Sequence, residues 1–181
     1  MKTAKEDLIH EHKAIEHALN ILERMSERIE NNGVIDYSDI NGFIEFLKEF
    51  ADKCHHGKEE GFLFPALEKT GVRNQGGPIG VMLSEHTLGR DLIKQMQDNL
   101  RKDKVDSQGF IEAAKSYVML LRAHIQKENT ILFPLIEVKM SASEQAELLR
   151  NFENYEEEVI GKGRHEELHI LLETLKDKYL I

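Results

Sequence analysis

The sequence is poor in the residues that define several protein classes. Its 181 residues include one Cys, three Pro and no Trp, so no internal disulfide can form and a disulfide-stapled fold is excluded. The longest stretch without Asp, Glu, Lys or Arg is the eleven residues from Asn74 to Ser84. A membrane-spanning helix requires roughly twenty apolar residues, so the sequence predicts no membrane span.

Positive charge is also scarce. Lys and Arg number 24 against 33 Asp and Glu, a net charge of −9; without a concentrated basic patch, nucleic acid is not expected as the main partner. The N-terminus carries charges of both signs and lacks the apolar region of a secretory signal. Together with the lone Cys54, this predicts a cytoplasmic protein. The composition fits a globular chain with a single hydrophobic core.

Apolar residues recur at helical spacing, and no alternating strand pattern of useful length occurs. The pattern predicts four helices, at about residues 4–31, 38–68, 78–102 and 108–138. The capping-box sequence Ser141-Ala-Ser-Glu144 opens a further helical stretch, and a last helix follows at about 164–179. We therefore expect an all-α antiparallel four-helix up-down bundle over residues 1–140, with a C-terminal helical extension, residues 141–181, packed on it.

An internal repeat is the most informative feature of the sequence. His55-His-Gly-Lys-Glu-Glu-Gly-Phe-Leu-Phe-Pro65 aligns with His124-Ile-Gln-Lys-Glu-Asn-Thr-Ile-Leu-Phe-Pro134, and the His, Lys, Glu, Leu, Phe and Pro positions coincide. Upstream, Glu11-His12 precedes the first copy and Glu85-His86 precedes the second. The chain therefore consists of two similar helical hairpins, each with a His on its first helix and a His-x-x-x-Glu on its second.

The spacing within the repeat suits a metal site. Residues at i and i+4 stand one above the other on a helix, so His55 and Glu59 can face one point, as can His124 and Glu128. Antiparallel packing brings both pairs together with the His of helices one and three. Burying four His and two Glu is costly unless something compensates them. A metal ion does so, and imidazole with carboxylate favours iron, manganese or zinc over copper(I) or calcium.

The doubled pattern resembles the hemerythrin-like (HHE cation-binding) family over roughly residues 5–138. The resemblance implies a four-helix bundle holding two Fe ions in a non-haem di-iron centre, with a small diatomic molecule or peroxide as its ligand. It also implies that the metal ligands are His12, His55, Glu59, His86, His124 and Glu128. Of these, the two Glu would bridge the irons.

Two positions depart from the oxygen-carrying members of that family. They have a second His one turn after the helix-three ligand, where this chain has Arg90, and Asp in a longer-spaced motif, where it has Glu128. Fewer imidazoles leave both irons more open, which argues against reversible oxygen carriage. Relatives with this six-ligand set include proteins linked to nitric oxide, peroxide or iron-sulfur cluster repair, and the resemblance does not choose among them.

Other histidines and the repeated lysines have plainer interpretations. The pairs His12/Glu16 and His56/Glu60 also have i, i+4 spacing, but only the other two pairs share the Leu-Phe-Pro register. His12 is preferred to His17 because it lies on the apolar stripe of its helix. The two lysines of the repeat adjoin an inward Glu, so both are expected to face solvent.

The C-terminal His165-Glu-Glu-Leu-His169 matches the His-Glu-x-x-His motif of zinc proteases. No third His follows it, so we expect a helix docked on the bundle, with His165 as an alternative extra ligand or gate. Two functions then remain. One is a di-iron protein that binds or reduces O2, NO or peroxide. The other is a metal- or redox-responsive sensor or iron-handling module without turnover, which the extension 141–181 suggests because a four-helix site does not need it.

Overall fold

The computed structural model describes residues 2–101 and 103–180, and most of these residues are helical. The helices are α1 (Ala4–Asn32), α2 (Tyr37–Phe46), α3 (Phe64–Lys69), α4 (Pro78–Asn99), α5 (Ser107–Lys127), α6 (Pro134–Lys139), α7 (Ala142–Tyr155) and α8 (Arg164–Tyr179). Turns of π-helix occupy Leu47–His56, Glu59–Leu63, Glu128–Leu132 and Glu156–Gly161. The first two join α2 to α3 and the third joins α5 to α6, so the second and fourth bundle helices cover residues 37–69 and 107–139. The predicted all-α four-helix bundle is confirmed.

Sequence signals account for the helix ends. Thr3 and Glu6 form a capping box at the start of α1, and Gly33, with a left-handed φ of 63°, caps its C-terminus. Ser141 and Glu144 form the predicted capping box of α7. In both copies of Leu-Phe-Pro, the Leu is the last residue of a π-helical turn; these residues are Leu63 and Leu132. Proline cannot donate a helical hydrogen bond and crowds the preceding turn, which favours this widening.

The connection within the second hairpin differs from the prediction. The third helix was expected to reach about Lys102, a residue outside the described part of the chain, but α4 ends at Asn99. Two short strands, β1 (Leu100–Arg101) and β2 (Lys104–Val105), then pair antiparallel. The sequence gives no signal for strands of two residues, because alternation needs several residues to become visible.

The apolar core is divided by a polar layer. One cluster contains Ile15 and Leu19 of α1, and a smaller cluster contains Leu8 of the same helix. His12 lies between these positions. Both clusters include C-terminal residues, Leu168 and Leu172 of α8 in the larger and Leu148 and Phe152 of α7 in the smaller. The domain division at residue 140 stays a prediction. Within residues 2–101 and 103–180, no helix has both the length and the apolar character of a bilayer-crossing segment.

Candidate metal centre

The six predicted ligands meet in the polar layer of the bundle. Each is at most 1% exposed. Together with His56, they form two overlapping groups, in each of which the potential ligand atoms lie within 4.8 Å of one another. The groups are His12, His55, Glu59 and Glu128, and His56, Glu59, His86 and His124. Glu59 belongs to both, so its carboxylate stands between two positions that could each hold an ion.

Each carboxylate lies between imidazoles of both hairpins. Glu59 Oε1 is 3.5 Å from His55 Nε2, and Glu59 Oε2 is 3.4 Å from His86 Nε2. Glu128 Oε2 is 3.1 Å from His12 Nε2 and 3.3 Å from His124 Nε2. For each carboxylate, the i, i+4 spacing along its own helix places one imidazole beside it. The packing of the bundle brings the second imidazole from the other hairpin.

The centre is rich in buried polar atoms without hydrogen-bond partners. These include both oxygens of Glu59 and of Glu128, and Nε2 of His12 and His55. An unpaired buried polar group costs about 1–3 kcal/mol, and a cluster of them is unusual in a native core. Cations placed among these atoms would satisfy them, so the donor set fits the metal ions that the sequence analysis predicts.

Each of the four predicted His ligands makes a hydrogen bond through Nδ1, the ring nitrogen that does not face the carboxylates, and this bond orients the ring. The acceptors for Nδ1 of His12, His55, His86 and His124 are Asn129 (2.8 Å), Glu11 (2.9 Å), Glu60 (2.7 Å) and Glu85 (2.9 Å), respectively. With Nδ1 donating, Nε2 is left as an acceptor that faces the centre, the arrangement typical of His ligands. The acceptors also obey the repeat: two precede a predicted His ligand, and two follow a predicted bridging Glu.

The repeated Phe has a function at the site. The ring of Phe133 stacks on His12, with centroids 5.1 Å apart and an interplanar angle of 11°. Phe64 stacks on His86 in the same way, at 5.8 Å and 23°. Each Phe therefore packs against the His of the opposite hairpin's first helix and excludes water from it.

Burial and mutual repulsion set the protonation of the two carboxyls. Burial raises the pKa of Glu128 well above its usual value, and the nearby Glu59 carboxylate raises it further. Burial also tends to raise the pKa of Glu59, but His55 and His86 lower it more strongly, so Glu59 stays ionised. Without metal the pair therefore holds one proton, which a cation can replace.

The pKa values of two predicted His ligands are shifted in opposite directions. Burial tends to lower the pKa of His86, but Glu59 and Glu60 raise it to about 9. Burial lowers the pKa of His124 to about 4. At pH 7 in the metal-free chain, His86 is thus a charged imidazolium with both nitrogens protonated, and His124 is a neutral imidazole. A metal ion must displace the His86 proton, and this competition weakens as the pH rises through about 9.

His56 is a candidate ligand that the sequence analysis missed. It is 4% exposed, neither ring nitrogen has a hydrogen-bond partner, and it belongs to the group around Glu59. Its ring stacks on His86 with centroids 3.8 Å apart. Adjacent residues point about 100° apart on an α-helix, but residues 47–56 form wider π-helical turns. The sequence signals were a second His beside His55, where the other copy has Ile125, and the i, i+4 spacing of His56 and Glu60.

Arg90 replaces the His of oxygen carriers and instead supports the site. Its guanidinium donates to Asp52 at 2.8 Å and to Glu60 at 2.7 Å. Glu60 also accepts the hydrogen bond from His86. Arg90 therefore holds the carboxylate that orients a predicted ligand.

Two plainer interpretations agree with the structure, and one is wrong. Glu16 and His17 are exposed, which excludes both from the centre.

Lys58 was expected to face solvent, but it is fully buried. Its ammonium contacts three carboxylates at 2.7–2.8 Å, and these ion pairs offset its desolvation. His165 does not enter either group around Glu59; its Nε2 lies 3.6 Å from Glu11 Oε1.

Comparison with known proteins agrees with this geometry. A sequence profile of the hemerythrin HHE cation binding domain matches residues 3–136. The uncharacterized proteins Rv1995 of Mycobacterium tuberculosis and Mb2018 of Mycobacterium bovis are each 25% identical over 169 residues, or 89% of this chain. The chain spans 64% of the length of these relatives. No solved structure matches. The profile covers most of the chain, which therefore belongs to the hemerythrin HHE cation-binding family.

Proposed function

We propose that the chain is a non-haem di-iron protein that binds or reduces a small oxidant, O2, NO or peroxide. One observation carries the proposal: two buried carboxylates without hydrogen-bond partners, Glu59 and Glu128, each lie between imidazoles of both hairpins. This nitrogen and oxygen set suits iron, and manganese and zinc also accept it. The family membership supports metal binding in general.

Each side chain has a defined task in this proposal. His12 and His55 would hold one iron, His86 and His124 the other, and Glu59 and Glu128 would bridge the pair. Bound iron supplies open coordination positions and electrons for the oxidant. The protein excludes water, because each proposed ligand is at most 1% exposed and Phe64 and Phe133 cover two of the rings.

A second candidate function is a metal- or redox-responsive module without turnover, of the iron-handling or iron-sulfur repair type. The observation that favours it is the contact of Glu156, beyond the family match, with buried Lys58 at 2.7 Å. Lys58 contacts Glu11, which accepts a hydrogen bond from His55. The C-terminal segment is thus connected to the centre through three side chains.

Oxidant titration distinguishes the two functions. The chain is loaded with iron(II) without oxygen, and O2, NO or peroxide is added with a chemical reductant present. For a reducing enzyme we expect many equivalents to be consumed for every two irons. Consumption of a single equivalent, with changed protease sensitivity of residues 141–180, would support the responsive module instead. Absence of any reaction with all three oxidants would contradict the first proposal.

His56 is proposed as a third imidazole at the position of His86 and His124. Because its ring stacks on His86, His56 would have to rotate off that ring to share an ion with it. We expect His56→Leu to weaken binding of the second iron at least about tenfold, ~1.4 kcal/mol. Iron titration followed by absorbance measures this. His17→Leu, at an exposed position, is the control; equal affinities in both variants would exclude His56 as a ligand.

A further inference from the structure

Lys58 is the centre of a buried ion-pair network. Its ammonium has three N–H donors and three carboxylate partners: Asp7 at 2.8 Å, Glu11 at 2.7 Å and Glu156 at 2.7 Å. The first two belong to α1, and the third begins the π-helical turn Glu156–Gly161. The side chain of Lys58 is 0% exposed, so water cannot replace a lost partner without a local opening of the structure.

Glu11 connects this network to a predicted metal ligand. One carboxylate oxygen, Oε1, accepts from Lys58, and the other, Oε2, is 2.9 Å from His55 Nδ1. Glu11 itself is 2% exposed. A carboxylate held at both oxygens has one position, and it therefore fixes both the tautomer and the ring orientation of His55.

The C-terminal segment is fitted closely to the bundle helix between His55 and Lys58. Gly57 has a helical φ of −61°, which any residue adopts. A Cβ at this position would lie 2.3 Å from the hydroxyl oxygen of Tyr155. That hydroxyl donates to the carbonyl of Lys53 at 2.8 Å. The missing side chain at Gly57 thus lets Tyr155, and with it the adjacent Glu156, approach the network.

We propose that the C-terminal segment, residues 141–180, positions the metal ligand His55 through the chain of contacts Glu156, Lys58 and Glu11. The inference rests on the proposed di-iron function. Glu156 and Tyr155 lie outside the region matched by the family profile, residues 3–136. The contact with Lys58 is therefore made by a residue beyond the domain that the profile describes.

The other hairpin provides a matched comparison. Lys127 pairs with Glu85, and Glu85 accepts a hydrogen bond from His124 Nδ1 at 2.9 Å. These residues correspond to Lys58, Glu11 and His55 in the repeat. Lys127 is 35% exposed, however, and within the described residues its ion pair with Glu85 is the only one it makes. Solvent-exposed ion pairs contribute little, so this half should depend much less on its lysine.

The first test compares Lys58→Met with Lys127→Met. We expect Lys58→Met to weaken metal affinity about 10–100-fold, the usual effect of losing the partners of a metal ligand, and Lys127→Met to weaken it by less. In the metal-free protein, ¹⁵N spectra of the imidazoles should show one His55 tautomer in the wild type and a mixture in Lys58→Met. Equal affinities in the two variants, or an unchanged His55 tautomer, would overturn the proposal.

A second variant acts on the segment without changing any charge. Gly57→Ala should displace Tyr155, so amide exchange across residues 155–165 should accelerate and His55 should lose its single tautomer. A loosened segment with an unaltered His55 spectrum would also overturn the proposal. Both readouts use metal-free protein. They therefore test the positioning even if the wild type binds no iron, an outcome that would contradict only the proposed function.

Discussion

Replacing Glu59 and Glu128 together by alanine should abolish iron binding, from about two irons per chain to none. Both carboxylates are fully buried and face imidazoles of both hairpins. Without them, neither ion has a bridging ligand or a negative charge to offset its desolvation. Metal analysis of the purified protein gives the iron content, and near-ultraviolet absorption of the oxidised protein reports an oxo-bridged ferric pair.

Glu16→Ala is the matched control for this experiment. Glu16 follows His12 at the same i, i+4 spacing, but its side chain is exposed, so its loss should leave the iron content unchanged. Circular dichroism should show the double variant still helical, because the carboxylate oxygens make no hydrogen bonds in the metal-free chain and their removal relieves that cost. Full iron occupancy in a folded double variant would refute the ligand assignment.

Replacing Phe133 by alanine should destabilise the metal-free protein by about 3–5 kcal/mol, the usual cost of truncating a buried aromatic residue. Phe133 is 0% exposed, belongs to the smaller apolar cluster and stacks on His12. Its removal leaves a cavity beside the polar layer and admits water to the ring of a proposed ligand. Urea denaturation monitored by circular dichroism measures the change in the free energy of unfolding.

Phe133→Leu is the control for the cavity, because leucine keeps most of the apolar volume and only the aromatic contact is lost. We expect it to cost clearly less than the alanine variant. A loss below about 1 kcal/mol for Phe133→Ala would show that the smaller cluster collapses around the site without this side chain.

The two halves of the centre are similar in plan and unequal in chemistry. His86 donates to the carboxylate of Glu60, whereas His12 donates to the amide of Asn129. A carboxylate acceptor makes an imidazole a more basic ligand than an amide does. The buried lysine and its contact with Glu156 of the C-terminal segment are also found only in the His55 half of the described chain. Two bound ions would therefore differ in their surroundings, although the repeat treats them alike.

Much of the plan could be predicted from local sequence patterns. The helical periodicity and the capping box at Ser141 predicted the bundle and the start of α7, because both depend on residues close together in the chain. The pairs His55/Glu59 and His124/Glu128 were found because i, i+4 spacing places them on one helix face. Their assignment as iron ligands stays a prediction.

Other features escaped the sequence analysis because they depend on distant segments. Lys58 was expected in water, since nothing within its helix reveals that Asp7, Glu11 and Glu156 converge on it. His56 was set aside because its pair with Glu60 does not share the Leu-Phe-Pro register of the repeat, and only the folded chain shows its ring stacked on His86.

The sequence by itself determined the all-α class, the doubled hairpin and the residue types that can hold a metal, because spacing along one helix decides which side chains share a face. Only the tertiary structure decided which acceptor orients each imidazole, which lysine is buried and how the C-terminal segment reaches the centre. Those contacts join residues from 26 to 117 positions apart. Their burial depends on how the helices pack, and packing is not encoded in any local pattern.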